Sequence, residues 1–478
     1  ETNMKHWILL ICLIAAGWAN SSLGYNEINL QALKRTGDCA GCDLTGADLS
    51  RLDLRGSELS TAKLAGAIFT HTKLSGARLH AANLAGVDLA GMDLTAVDGS
   101  RAIFRGAHLT GANLTGANLA GANLIDADLS GSDITGASFR WADLHRVDLS
   151  GRDLRDILLD GADFQSANLA GADLRGVNLE QANFKKADTK AMLLAGANLS
   201  GAVLTSVDLT ALDLSGVSFM EADLSGASLA GSDLSNSDLR NAVLAGVDLS
   251  KAKLTGANLS GADLSGAILA GVDLGGVKLT GSNLGGAELT GVDLSGKDLK
   301  GASLQGAQLK SVSWTDADLS GVDLSGIDLS DQDLSGAILV GANLSNTNLA
   351  GANLSGADLS GADLSQKNLT KTNLANAKLH GAVLSYAGLS GVDFRGALFD
   401  EDSILEGAVT IANFKTAKGI DMARFCIESS PSSGSVGVCQ QMPQAVINAI
   451  ACPPAYIPEA GPTCGFDQVV LLDHDDRR

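Results

Sequence analysis

A five-residue period runs unbroken through most of the chain, and few backbone conformations tolerate it. From Leu44 to Phe399 every residue whose number ends in 4 or 9 is the centre of a pentad, giving 72 consecutive pentads without an insertion or deletion. Leu fills 60 of the centres and Phe eight (Phe69, Phe104, Phe139, Phe164, Phe184, Phe219, Phe394, Phe399), with Ile134, Trp314, Gly99 and Thr189 in the other four. An α-helix advances about 100° per residue, so five residues overshoot one turn by ~140° and the Leu row would spiral around the surface. A strand fails as well, because its side chains alternate faces and residues five apart point to opposite sides. Only a backbone that turns a corner within every pentad keeps each Leu on one side, and the Ser-Gly or Thr-Gly pairs that follow many centres suit such turns. The period therefore predicts a solenoid.

Composition supports a thin core. Hydrophobic residues make up 45% of the 478, yet aromatic residues only 4%, so the interior must be built from small, uniform parts. All six prolines (Pro431, Pro443, Pro453, Pro454, Pro458, Pro462) lie beyond residue 430, as expected if every earlier strand has two neighbours and needs its ladder donor. The repeat region should thus end near residue 425, after weakening repeats centred on Ile404, Val409 and Phe414, and give way to a Pro- and Cys-rich segment. At the other end, Lys5 and His6 precede an apolar run from Trp7 to Gly17. Roughly eleven apolar residues fall short of the ~20 needed for a spanning helix, so the run reads as a secretion signal cleaved after Ala19 or Gly24. Met4 is the expected start.

The recurring A(D/N)LxG pattern, as in Ala47-Asp48-Leu49 or Ala112-Asn113-Leu114, resembles the pentapeptide-repeat family, and it covers about three quarters of the chain. The resemblance implies an all-β, right-handed quadrilateral β-helix with four pentads per coil, the central Leu and the residue two before it facing inward. On that geometry the pentads make 18 coils, stacked at about 4.8 Å into a rod of roughly 85 Å. The expected organisation is a signal peptide at 1–24, an N-terminal cap at 25–38, the β-helix at 39–425 and a Cys/Pro-rich C-terminal cap at 426–478. Short helices are expected over the first coil, from Asn26 to Arg35, and within the last segment, from Pro443 to Ala451. Terminal coils need such covers because they otherwise expose apolar core and unpaired backbone.

The formal net charge of −20 invites a duplex-mimic reading, in which an anionic surface binds a basic protein. The repeat supplies a plainer source. Across the 72 pentads the place just before the centre holds Asp 31 times and Asn 15 times, and short Asx side chains favour turns by bonding nearby backbone. The acids are nevertheless uneven. The face centred on Leu54, Leu74 and Leu94 carries Asp at 11 of its 18 places, including Asp53, Asp93, Asp133, Asp153, Asp173, Asp213, Asp233, Asp273 and Asp293. That row is the candidate face for a basic partner or a divalent cation.

Cys39-Ala40-Gly41-Cys42 is shaped like a metal or redox motif, but the register places both cysteines toward the core of the first coil. Asp43 stands where haem attachment requires His. Cys39 is expected to pair with Cys42, and Cys426, Cys439, Cys452 and Cys464 to form two bridges with three possible connectivities. The scattered histidines match no nucleophile or metal pattern, and the Asp473-His474-Asp475-Asp476 tract reads as a solvated terminus. Arg152, Lys297 and Lys367 occupy inward small-residue slots, so their stems are expected to leave through coil corners. Gly99 and Thr189 should leave dents in the core, and Trp314 should overfill its place.

No catalytic, cofactor-binding or metal-ligating residue is assigned. The expected function is a non-enzymatic, secreted or periplasmic structural or protein-interaction scaffold, with no direct nucleic-acid binding and no membrane span once the signal is removed. The alternative is an anionic, nucleic-acid-mimic-like regulator binding a basic protein surface. The partner and the oligomeric state stay open.

Overall fold

The computed structural model describes residues 24–400, 402–404, 424–427 and 438–441. The signal segment before Gly24, the helix expected at Pro443, the repeats centred on Val409 and Phe414, and Cys452 and Cys464 lie outside the described residues. The chain divides into two compact units, Glu1–Leu239 and Arg240–Arg478.

One pentad shows how each unit is built. The Leu44 carbonyl accepts the Ala47 N–H at 3.0 Å, closing a four-residue turn whose third residue, Gly46, has φ 71°. A turn with positive φ at that position is type II, which is why glycine so often follows the Ser or Thr. The next corner puts Arg51 at φ 63° instead, a conformation that costs a non-glycine residue roughly 1–2 kcal/mol. Between corners the residue before each centre pairs with its counterpart four pentads on, as in the parallel bridge of Asp43 with Lys63, where the Leu44 N–H reaches the Lys63 carbonyl at 2.8 Å and the Lys63 N–H reaches the Cys42 carbonyl at 2.8 Å. Four pentads therefore make one coil. Because a corner interrupts every pentad, the ladder consists of isolated bridges rather than extended strands.

The solenoid core follows the register in both units. Centres such as Leu49, Leu119, Leu264 and Leu334 are fully buried, and so are the slots two residues earlier, such as Ala47 and Ala262. In most slots taken by Ser or Thr the hydroxyl bonds a turn carbonyl: Thr72 Oγ1 donates to Leu49 O at 2.8 Å and Ser232 Oγ to Leu229 O at 2.8 Å. Burial of the hydroxyl therefore leaves no orphan.

Three expectations change. At Gly99 there is no dent: a Cβ would lie 2.9 Å from Leu119 Cδ2 and 3.0 Å from Phe104 Cε2, because the Phe104 ring, at the next centre, fills the space that a Leu would have taken. Thr189 is buried, with its hydroxyl bonded to the Asp208 carbonyl, and an apolar packing gap too small for water lies instead among Ile134, Phe139, Leu154 and Ile157. Second, two of the charged slot residues, Arg152 and Lys297, turn onto backbone carbonyls while staying half-exposed. The Arg152 guanidinium donates to Leu129 O and to Ser132 O, and Lys297 Nζ donates to Leu274 O at 2.6 Å, so carbonyls of the preceding coil hold the charges. Third, Ile404 is not a centre. It bridges Val383, one position further than a full coil, and Ser403 takes the buried inward slot with its hydroxyl on Leu379 O, so the frame slips by one residue after Phe399.

Bulk in the slots also controls the ladder. In the coil containing Trp314, Leu319 and Gly321 bond the next coil at 2.8 and 3.0 Å, but among the described residues Leu309 and Ser311 have no such acceptor. There Ile327 and Gln332 stand one coil beyond Ala307 and Val312, so all but one of these slots hold a side chain bulkier than the consensus Ala. The widened seam forms a cleft of about 400 Å³ lined by Gly306, Lys310, Asp328 and Gln332. Trp314 is fully buried nearby, and its Nε1 has no hydrogen-bond partner.

Outside the coils, α1 (Glu27–Thr36) is N-capped by Asn26, whose side chain accepts from the Ile28 and Asn29 N–H groups, and ends at Gly37 with φ 79°. It buries Leu30 and Leu33, and the Asn26 N–H bonds Asp43 O at 3.0 Å. Two short strands, β1 (Arg424–Ile427) and β2 (Val438–Gln441), pair antiparallel.

Candidate interaction face

The acidic row is first a set of turn clamps. In each of the nine aspartates named for it, the carboxylate accepts the backbone N–H two residues on, from Thr95 to Asp93 at 3.1 Å, Thr135 to Asp133 at 3.0 Å, Ser215 to Asp213 at 3.0 Å, Ser235 to Asp233 at 3.0 Å, Gly275 to Asp273 at 2.8 Å and Ser295 to Asp293 at 2.9 Å. Asp53, Asp153 and Asp173 do the same for Arg55, Arg155 and Arg175 at 3.4, 3.2 and 3.2 Å. These three are also gripped by the guanidinium of that arginine through Nε and a terminal nitrogen. Such bidentate pairs favour the charged carboxylate, and they hold Asp53 and Asp153 down at about 2. The Arg175 hydrogen bond likewise lowers Asp173, while the Thr95, Thr135 and Ser295 hydroxyls lower Asp93, Asp133 and Asp293. The row thus mixes arginine-held carboxylates with hydroxyl-bonded ones. Parallel bridges stack Asp153 on Asp173 and Asp213 on Asp233.

Side chains one coil apart engage further carboxylates, through neutral amides that leave the charge in place and through arginines that offset it. Asn118 Nδ2 donates to Asp98 at 3.0 Å, Asn183 to Asp163 at 3.0 Å, Asn283 to Asp263 at 2.9 Å, and Asn353 to Asp333 at 2.9 Å. Arg146 pairs with Asp126 and Arg140 with Asp160 across the same interval, at 2.6 and 2.8 Å. An Asn above an Asp supplies a donor where a second carboxylate would only repel. A comparison of each position with the one four pentads later would have found these pairs in the sequence.

One apolar feature stands out on this polar surface. Trp141 is 58% exposed at a coil corner with φ 57°, and its ring lies over the backbone of Gly161, where a Cβ would sit 2.3 Å from ring atoms. Leu158, 43% exposed, and the Arg140–Asp160 pair belong to the same pair of coils. Trp141 falls between centres, in a place usually held by Gly, so a reading of centres passes over it. A Trp off the centre register in a chain so poor in aromatics was the available signal.

Cys39 and Cys42 are joined in a disulfide with Cα atoms 5.4 Å apart; Cys39 is buried, and Cys42 half-buried. Among the described residues no group of three or more His, Cys, Asp or Glu side chains is placed to hold a metal ion, and no helix is long and apolar enough to cross a membrane.

The coil of four pentads, with a corner beside each Leu centre, agrees with a family profile described as Pentapeptide repeats (8 copies), which matches residues 42–80, 77–116, 112–151, 153–188, 190–219, 222–261, 257–296, 298–331, 333–366 and 368–400. The chain belongs to the pentapeptide-repeat family. Among solved structures it is similar to HetL, a pentapeptide-repeat protein involved in heterocyst differentiation regulation from the cyanobacterium Nostoc sp. strain PCC 7120, at 34% identity over 53% of this chain and 93% of that one, with a TM-score of 0.23. It is also similar to full-length QnrB1, a plasmid-mediated fluoroquinolone resistance protein, at 22% identity over 41% of this chain and 90% of that one, TM-score 0.21. A pentapeptide-repeat protein of the Arabidopsis thaliana thylakoid lumen matches at 29% identity over 33% of this chain and 71% of that one, TM-score 0.11. No curated protein matches the sequence.

Proposed function

We propose that this pentapeptide-repeat protein is a non-enzymatic, extracytoplasmic structural or protein-interaction scaffold. In this reading residues 1–24 direct export, 25–38 and 426–478 cover the ends, and 39–425 form a right-handed quadrilateral β-helix. The observation that carries it is the employment of the polar side chains. The acidic row is spent on its own turns, and many neighbouring carboxylates bond an Asn, Arg or Lys, so what the coils offer a partner is shape, rows of Asx, Ser and Thr, and the Trp141 corner. Aromatic and Arg side chains together are the usual energetic centre of protein interfaces.

The second reading, an anionic regulator of a basic partner, draws on the net charge of −20 and on the hydroxyl-bonded carboxylates Asp93, Asp133 and Asp213. One experiment separates the two. Full-length protein captures its partner from envelope and culture fluid, and the complex is titrated with salt beside two variants, Trp141→Ala with Leu158→Ser, and Asp93→Asn with Asp133→Asn and Asp213→Asn. The scaffold reading expects loss with the first variant and little salt dependence. Loss with the second, steep in salt, would establish the anionic reading instead. Export is tested separately, by fractionation of cells that carry the native gene.

A further inference from the structure

The register of β1 and β2 puts Cys426 directly opposite Cys439, flanked by the pairs Phe425 with Gln440 and Ile427 with Val438. Residues directly opposite in an antiparallel pair have Cα atoms about 4.5 or 5.5 Å apart, according to whether the pair exchanges hydrogen bonds. Both values lie inside the roughly 4.4–6.8 Å window that a disulfide needs. The intervening segment, Glu428 to Gly437, holds five Ser, three Gly or Pro and no Leu, a composition suited to a hairpin loop.

We infer that Cys426 and Cys439 form a disulfide that staples this hairpin, which leaves Cys452 and Cys464 as the remaining pair. Of the three connectivities open to these four cysteines, this one joins the two that, among the described residues, the backbone holds opposite each other. The oxidant is another disulfide. One thiolate attacks it, forming a mixed disulfide and releasing one thiol, and the second cysteine thiolate then displaces the other half. Two electrons and two protons pass to the donor, which leaves as two thiols. A two-stranded hairpin on its own is marginal in water, so a covalent tie between its strands has a clear structural use.

The staple in the cell rests on the extracytoplasmic reading above, but the pairing itself does not, and the test keeps them apart. Full-length protein is reduced, reoxidised in a glutathione redox buffer, blocked with an alkylating reagent and digested without reduction. Mass spectrometry should find the Cys426 and Cys439 peptides linked, and the Cys452→Ser, Cys464→Ser double variant should keep that link and expose no alkylatable thiol at either position. Dominant linkage of Cys426 to Cys452 or Cys464, or free thiols at Cys426 and Cys439 in the double variant, overturns the pairing. Protein alkylated directly in its source cells addresses location alone: free thiols there, with the link forming in vitro, would refute export and leave the pairing intact.

Discussion

Replacing Gly99 by the residue that its register favours should destabilise the protein. Leu occupies 60 of the 72 centres, so a consensus argument would make Gly99→Leu stabilising. The structure gives the opposite sign. Gly99 does not have a left-handed backbone, so conformation is no obstacle, and rigidifying the unfolded chain would favour Ala by about 0.4–1 kcal/mol if space allowed. Space does not allow: the first added carbon already falls 2.9 Å from Leu119 Cδ2 and 3.0 Å from Phe104 Cε2. A Leu adds three more carbons at this buried position against the same Leu119 and Phe104 side chains, and overpacking of this kind costs about 1–3 kcal/mol. Coils interact only with their neighbours, so the loss should be local. Native-state hydrogen exchange reads it at the amide of Arg101, which donates to Ala120 O at 2.8 Å, as acceleration of about 5- to 150-fold, since each 1.4 kcal/mol is tenfold. The remedy is specific. Adding Phe104→Leu vacates the space, so the two changes together should cost about 0.5–3 kcal/mol less than the sum of each alone. Unchanged or slower exchange in Gly99→Leu, or strict additivity of the pair, would refute the claim that the Phe104 ring supplies the missing side chain.

Acid should weaken the arginine-clamped corners within a defined window. Asp53 and Asp153 titrate near 3.8 when unpaired and at about 2 in the fold, so their contribution is complete above about pH 4 and is lost as pH falls through about 2. Thermal melting from pH 7 to pH 2 should be flat and then decline, and Asp153→Asn with Asp173→Asn should blunt the decline because Asn still accepts the turn N–H. At the widened seam, the amides of Leu309 and Ser311 should exchange much faster than those of Leu319 and Gly321 in the same coil, and Ile327→Ala with Gln332→Ala should slow them by letting the coils close. Gly161→Ala should displace the Trp141 ring and raise its quenching by acrylamide, whereas Gly171→Ala, equally left-handed but with nothing nearer than 3.9 Å, should leave the ring in place.

Much of the fold was legible because the five-residue period leaves one backbone solution. Buried centres, inward slots and the corner after each Leu all follow from position within the pentad; the short helix at Glu27–Thr36, expected from Asn26 to Arg35 as a cover for the first coil, lies within one residue of that span. What escaped depends on the other dimension of the stack. Whether Gly99 is a dent is decided by Phe104 at the next centre and Leu119 one coil on. Whether Arg152 is stranded is decided by Ser132 O, a carbonyl to which the Asp153 N–H makes no ladder bond of the kind Lys63 makes to Cys42 O. The acidic row was visible as a row, but its carboxylates are occupied by the backbone N–H two residues later, and in most of them also by the Ser, Thr or Arg side chain there, a coupling visible only when both positions are read together.

The slip at Ile404 shows how tightly register binds sequence to structure. Asp400 accepts the Gly381 N–H at 2.8 Å through Oδ1, a ladder bond that a backbone carbonyl makes elsewhere, and Ser403 Oγ bonds both Asp400 and Leu379 O. One extra residue is therefore absorbed by side chains imitating backbone, and the pattern resumes a step later with Ser403 inward and Ile404 in the ladder. In a strand that faces core on one side, a one-residue shift would turn every side chain to the wrong face. A pentad solenoid avoids that outcome because each corner resets the direction of the chain. Insertions should accordingly be tolerated at corners that supply a carboxylate and a hydroxyl, and rejected between corners, where no side chain can replace the lost carbonyl.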